Sequence, residues 1–151
     1  AEELAAPEAI LTTNTSSLPL APLAGVLRRP ERFAGLHWLN PPELVELVEV
    51  VGAEATAEAT TDALVDWMEQ LGKAPVVVRR DVPGFIVNRL QYALLREAIR
   101  QGQLSAALDI DTAVAVLAGP VFYRRLVSRE PLDEEFAEHV VDQFLGANAT
   151  P

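Results

Sequence analysis

The sequence predicts an α/β domain followed by an all-α helical tail. Up to residue 81, short runs of β-type residues alternate with helical patterns across short links, as in an α/β domain. From Pro83 onward every patterned stretch has helical period. A hydrophobic share of 50% supplies enough apolar side chains for a packed interior. Residues 1–81 therefore read as one α/β piece and residues 82–151 as a helical region.

"AILTTNTSS" (9–17) begins as a strand and ends in hydroxyl and amide side chains, which suits a strand end and loop. "LPLAPLAGVLRRPERF" (18–33) is broken by prolines and Gly25, so it holds at most a short helix. "FAGLHWL" (33–39) and "LVELVEVV" (44–51) bracket the Pro41-Pro42 turn and read as two strands. "TAEATTDALVDWMEQLGK" (56–73) reads as a helix with Thr56 as N-cap, Leu64, Met68 and Leu71 at helical spacing, and Gly72 as its stop. "APVVVRR" (74–80) is a further strand. "PGFIVNRLQYALLREAIRQG" (83–102) reads as a helix with Pro83 at its first position and Gly102 at its end. "DIDTAVAVLAGPVFYRRLVS" (109–128) offers Asp109 and Asp111 as caps and should bend at Gly119-Pro120. "PLDEEFAEHVVDQFLGA" (131–147) sets Phe136, Val140, Phe144 and Leu145 on one face and should stop at Gly146, leaving a frayed end.

Composition removes several classes of function. No apolar run approaches the roughly 18 residues that cross a bilayer, and no secretory leader pattern is present. The chain opens on Ala1, which reads as processing or a fragment. With no cysteine there is no disulfide or thiolate metal site, and the expectation is a cytoplasmic protein. A net charge of −10 repels phosphate backbones and no basic stripe offsets it, so neither nucleic acid nor membrane is an expected partner.

His37 lies inside a predicted strand, and the residues alone leave two readings open. A lone strand histidine is more often a satisfied structural residue, and Glu49 by itself is most simply a charge on a solvent face. Asn88 could be an ordinary polar residue early in a helix. The other reading comes from the order of the motifs. "TTNTSSLPL", "RFAGLHWLNPP", "LVEVV", "LGKAPVVV" and "DVPGFIVNRL" follow one another with the spacing of the L-3-hydroxyacyl-CoA dehydrogenases, and residues 8–97 resemble that family. The resemblance implies a partial Rossmann-type sheet, NAD as cofactor and a 3-hydroxyacyl-CoA or related hydroxy acid as small-molecule substrate. It matches His37 to the catalytic histidine and Glu49 to the carboxylate that orients it. Ser16, Asn40 and Asn88 match substrate contacts, and Asn14, Ser16 and Asn40 match cofactor contacts.

The chemistry asks for these residue types. Removing the proton of a secondary alcohol while hydride leaves needs a base that works near neutrality, and histidine has its unperturbed pKa there. A carboxylate on the other ring nitrogen fixes the tautomer and stabilises the imidazolium. Neutral hydroxyl and amide groups can hold the substrate oxygen without adding charge.

Two features depart from the family pattern. Asn40-Pro41-Pro42 is shorter than the usual Asn-Pro-Val-Pro and resembles relatives acting on carnitine or sugar acids. No G-x-G-x-x-G turn occurs in these residues, so the expectation is a chain that is inactive by itself. Residues 97–147, with the "AGPVFYR" and "PLDEEFAEHVVDQFL" helices, are similar to the end of the ligand-binding domain of TetR-type repressors. That resemblance implies a homodimer through the C-terminal helices and, as the alternative function, a non-catalytic dimerisation or small-ligand module on an enzyme-derived scaffold.

Overall fold

A computed structural model describes residues 2–16 and 18–150. The chain divides into two compact units, one ending at Arg89 and the other beginning at Leu90.

The first unit is built on a four-stranded sheet in the order β1-β2-β3-β4: Leu11–Thr13, Phe33–Trp38, Leu47–Gly52 and Ala74–Val78. β1 pairs parallel with β2, β2 antiparallel with β3, and β3 parallel with β4. The parallel pairs need crossovers. Leu20–Ala24 (α1) lies in the first and Glu58–Gln70 (α2) in the second. The interior of β2 and β3 is buried on both faces, which explains their nearly continuous apolar sequences.

Alternation sorts the strand side chains into two layers. Ala34, Leu36, Val48 and Val50 pack with Leu64 and Met68 of α2. Phe33 and Val51 pack with Leu20 and Ala24 of α1, and with Val78 and Phe85. Gly35 lies in β2 where α1 comes closest. A Cβ there would stand 3.1 Å from Val51 Cβ and 3.2 Å from Leu20 Cδ1. Asp81 caps α1 by accepting the Leu20 N–H at 2.6 Å, although that helix is only a single turn and its N-cap residue is Pro19.

Several expectations are corrected. The second strand of the hairpin starts at Leu47, because Pro42, Glu43 and Leu44 are used in the turn. Ala57 rather than Thr56 is the N-cap of α2, since the Thr56 hydroxyl donates to Phe33 O at 2.7 Å and accepts from the Ala53 N–H. Leu71 falls after the last turn of α2 and is exposed. The third helix (α3) spans Val87–Arg100, so Pro83 is not its first residue. Pro83 to Ile86 form a turn in which Gly84 (φ +76°) and Phe85 (φ +45°) are left-handed. Ser17, the last residue of the predicted loop at 9–17, lies outside the described residues.

In the second unit α4 (Ile110–Phe122) is capped by Asp109, whose carboxylate accepts from the Thr112 N–H at 2.9 Å. Asp111 is no cap; it accepts from the Tyr92 hydroxyl at 2.5 Å. The helix runs through Pro120 and widens into a π-helix at Tyr123–Ser128, ended by Arg129 at φ +57°. Pro120 has no N–H for the ladder, so an irregularity in this region has a local cause. α5 (Glu134–Asn148), capped by Asp133, passes through Gly146 instead of stopping there. Its end is not frayed: Ala149 bridges Leu104, and the Thr150 N–H donates to Gln103 O at 3.2 Å. Of the face predicted for this helix, Phe144 is buried with Leu104 and Ala113 inside its own unit, whereas Leu145 is exposed.

Candidate active site

The antiparallel register sets His37 directly opposite Glu49. Opposed residues of such a pair project from the same sheet face with Cβ atoms about 4.5–5.5 Å apart, within hydrogen-bonding reach for these side chains. His37 Nδ1 and Glu49 Oε2 are 2.7 Å apart. His37 is 4% exposed and Glu49 0% exposed, so the solvent-facing reading of Glu49 falls. A buried carboxylate is tolerable only when its lone pairs are taken. Here Oε1 accepts the N–H groups of Ile86 at 2.7 Å and Val87 at 3.0 Å, at the start of α3. A helix N-terminus also favours negative charge.

These partners decide the histidine tautomer. Backbone N–H groups can only donate, so Oε1 is committed as an acceptor, and with the carboxyl group ionised Oε2 can only accept the proton of Nδ1. In the neutral ring Nε2 then carries the lone pair. It faces Ser16, whose Oγ stands at 3.1 Å, where its hydroxyl can donate to a lone pair on Nε2. The ring packs edge-on against Phe85, with centroids 5.3 Å apart and planes at 65°. His37 is thus a buried imidazole with one nitrogen anchored and the other directed at an exposed serine.

The remaining residues gather on the same edge. Asn14 and Ser16 follow β1, and the Asn14 side-chain oxygen accepts the Trp38 N–H at 2.9 Å. Asn88, in the first turn of α3, donates its amide to Ser16 O at 3.3 Å. Asn40 is exposed just beyond the end of β2. No contact brings Asn40 to the histidine. Its loop is held instead by Lys73, whose Nζ donates to Pro42 O at 2.5 Å and to Val45 O at 3.2 Å.

Open α/β sheets bind ligands outside the carboxyl ends of their strands. β1 and β2 run parallel, so their carboxyl ends share one edge, where Asn14, Ser16, His37 and Asn40 lie. The side chains of Asn14, Ser16 and Asn40 give that edge neutral amide and hydroxyl groups. No glycine-rich turn for the pyrophosphate occurs in the 151 residues.

Three contributors escaped sequence reasoning: the Ile86 and Val87 amides, the Phe85 ring and Lys73. The Pro83-Gly84 dipeptide, a common turn signal, was the available clue to the first two. Nothing near Lys73 signalled its partners, which are distant in sequence.

Comparison with known proteins places this geometry. Residues 1–82 match the family described as 3-hydroxyacyl-CoA dehydrogenase, NAD binding domain. The mitochondrial hydroxyacyl-coenzyme A dehydrogenase of Sus scrofa is 47% identical over 121 residues, covering 78% of this chain and 38% of that protein. A crystal structure of 5-formyl-3-hydroxy-2-methylpyridine 4-carboxylic acid 5-dehydrogenase, described as an NAD+ dependent dismutase, superposes with a TM-score of 0.63 at 33% identity. It covers 99% of this chain and 50% of that one. 3-Hydroxybutyryl-CoA dehydrogenase from Escherichia coli K12 gives a TM-score of 0.57 at 37% identity over 68% of this chain and 25% of its own. The chain spans less than two-fifths of the length of the curated relatives it matches. These matches, over a mixed sheet that carries a buried histidine–carboxylate pair, place the chain in the 3-hydroxyacyl-CoA dehydrogenase NAD-binding domain family.

Proposed function

We propose that this chain carries the acid–base half of an NAD-dependent 3-hydroxyacyl-CoA dehydrogenase site that oxidises a secondary alcohol. The observation that supports it is the His37–Glu49 pair with Nε2 directed at Ser16. His37 Nε2 takes the hydroxyl proton, Glu49 holds the ring and steadies its positive charge, and Ser16 and Asn88 hold the substrate oxygen. NAD, contacted by Asn14, Ser16 and Asn40, supplies the hydride acceptor. Positioning of the reacting groups can account for about 7–11 kcal/mol of such a barrier, and most of the grip on the dinucleotide comes from a glycine-rich turn. These 151 residues alone should therefore bind NAD weakly and show no turnover.

Trp38 adjoins His37, and Trp67 is the one other tryptophan. In a Trp67→Phe background, 3-hydroxybutyryl-CoA should change Trp38 fluorescence saturably, and His37→Gln should weaken that response. A wild-type response that stays flat up to millimolar ligand would remove the substrate assignment. Turnover abolished by His37→Gln would support the base and overturn the statement on NAD.

We also propose that the helical tail, of TetR-type character, forms a homodimer, the basis of the non-catalytic alternative. Leu94, Tyr123, Leu126 and Val127 of the second unit are exposed, more large apolar side chains than a short helical unit ordinarily leaves in water. A clean monomer in sedimentation at tens of micromolar would remove this reading. Among the described residues no helix is long and apolar enough to cross a membrane. The proposed compartment is the cytoplasm, on the absence of cysteine.

A further inference from the structure

We propose that the left-handed turn at Gly84-Phe85 is a positioning element for the His37–Glu49 pair. It presents the Ile86 and Val87 amides to Glu49 and sets the Phe85 ring against the imidazole, so that Nε2 is the nitrogen left free to act. The inference deepens the proposed function and rests on it only for the word "base".

A helix that started at Pro83 would commit the Val87 N–H to the Pro83 carbonyl four residues back. The turn prevents this. Gly84 at φ +76° and Phe85 at φ +45° delay the helix to Val87 and leave two successive amides for Glu49 Oε1. A bulky residue such as Phe85 adopts a left-handed conformation only where its surroundings hold it there, and such strain gathers at functional sites. Phe85 is 1% exposed and packs on Leu20, Phe33, Val51 and Val78 as well as on the His37 ring. The same turn reaches the substrate side, because a Cβ on Gly84 would stand 3.3 Å from the Cβ of Asn88. Neither Gly84 nor Phe85 is a catalytic residue; both act through Glu49 and His37.

The chain holds two histidines, so imidazole nitrogen NMR of the 15N-labelled protein, with His139→Gln for assignment, reads His37 directly. Wild type should show a single Nδ1–H tautomer with slow exchange of that proton. Gly84→Ala and Gly84→Asn place the same Cβ beside Asn88, but asparagine tolerates the left-handed conformation better. Gly84→Ala should introduce the Nε2–H tautomer and speed Nδ1–H exchange by about tenfold, the upper end of what one lost hydrogen bond contributes. Gly84→Asn should restore most of the wild-type signal, and Phe85→Leu should mix tautomers while keeping the amides. Folded Gly84→Ala and Phe85→Leu proteins, by circular dichroism, that keep the wild-type tautomer and exchange rate would overturn the proposal. If Gly84→Ala does not fold, Phe85→Leu decides it by the same readout. The signals need neither cofactor nor substrate, so a failed fluorescence or turnover assay leaves them standing.

Discussion

The two units treat their polar and apolar groups in opposite ways. In the sheet unit, a carboxylate and an imidazole are buried with each of their nitrogens and oxygens hydrogen-bonded, in strands whose two faces are both covered by apolar side chains. In the helical unit the charged groups stay near the surface, the buried core among the described residues is Leu104, Ala113 and Phe144, and leucines, valines and a tyrosine face outward. A buried polar group in the first region has one arrangement that costs little, so its geometry is specified. Exposed apolar groups in the second have no partner inside their own unit, so what is specified is a surface. The first arrangement fixes one geometry, and the second leaves apolar surface in water.

The largest test breaks the contrast at its centre. Glu49→Ala leaves the Ile86 and Val87 N–H groups and the buried His37 Nδ1–H without their acceptor, and removing one member of a buried pair costs about 3–5 kcal/mol. Urea unfolding monitored through Trp38 should report a loss of that order. Glu49→Gln should be milder but more informative. Its oxygen can serve the Ile86 and Val87 amides, which turns its NH2 toward His37 and forces Nδ1 to become the acceptor. The proton then sits on Nε2 and the base is removed without unfolding the chain. In a context that turns over, the rate should fall roughly a hundred- to ten-thousandfold, the usual value of a positioned base. An unchanged tautomer in the Gln variant would mean that the amides do not fix the carboxylate.

Phe144→Ala tests whether the helical unit depends on its small interior. Phenylalanine-to-alanine changes in cores cost about 3–5 kcal/mol, and a core this open should give the lower end of that range. Hydrogen exchange should show the loss in α4 and α5, with the sheet amides unaffected.

Leu94→Glu sharpens the other side of the comparison. An exposed residue away from caps and core should alter monomer stability by no more than about 0.5 kcal/mol. If the outward apolar groups mark an interface, the same change should shift sedimentation toward the monomer. Unaltered association would exclude Leu94 from any contact.

The smallest effect concerns pH. The Thr112 hydroxyl, and after it the Thr112 N–H, hold the Asp109 carboxyl below the ordinary aspartate range. A carboxyl lowered in the folded state adds stability above its unfolded pKa and loses it as pH falls through the lowered value. The start of α4 should therefore lose amide protection only at acid pH, below the usual aspartate range. Asp109→Asn keeps a cap and should abolish that dependence.

Sequence by itself determined the order and type of the strands and helices, though not all their ends, because alternation and helical period are local and strong in this chain. Motif order at fixed spacing also singles out His37 and Glu49, where neither stands out alone, and these are the two side chains that meet in the fold. The strand register followed nearly as directly: a hairpin with both faces buried cannot slip by one residue without exposing its apolar set. Tertiary structure decided the rest. Thr56 had the chemistry of a helix cap, but the Phe33 carbonyl, far away in sequence, took its hydroxyl. Pro83 had the chemistry of a first helical residue, but the buried Glu49 needed amides that a helix begun there would have used. Phe144 lay on an amphipathic face whose periodicity cannot say which neighbour will cover it. Propensity and periodicity are properties of a segment, whereas the partner that satisfies a buried donor or covers an apolar face comes from elsewhere in the chain. Only the folded molecule brings the two together.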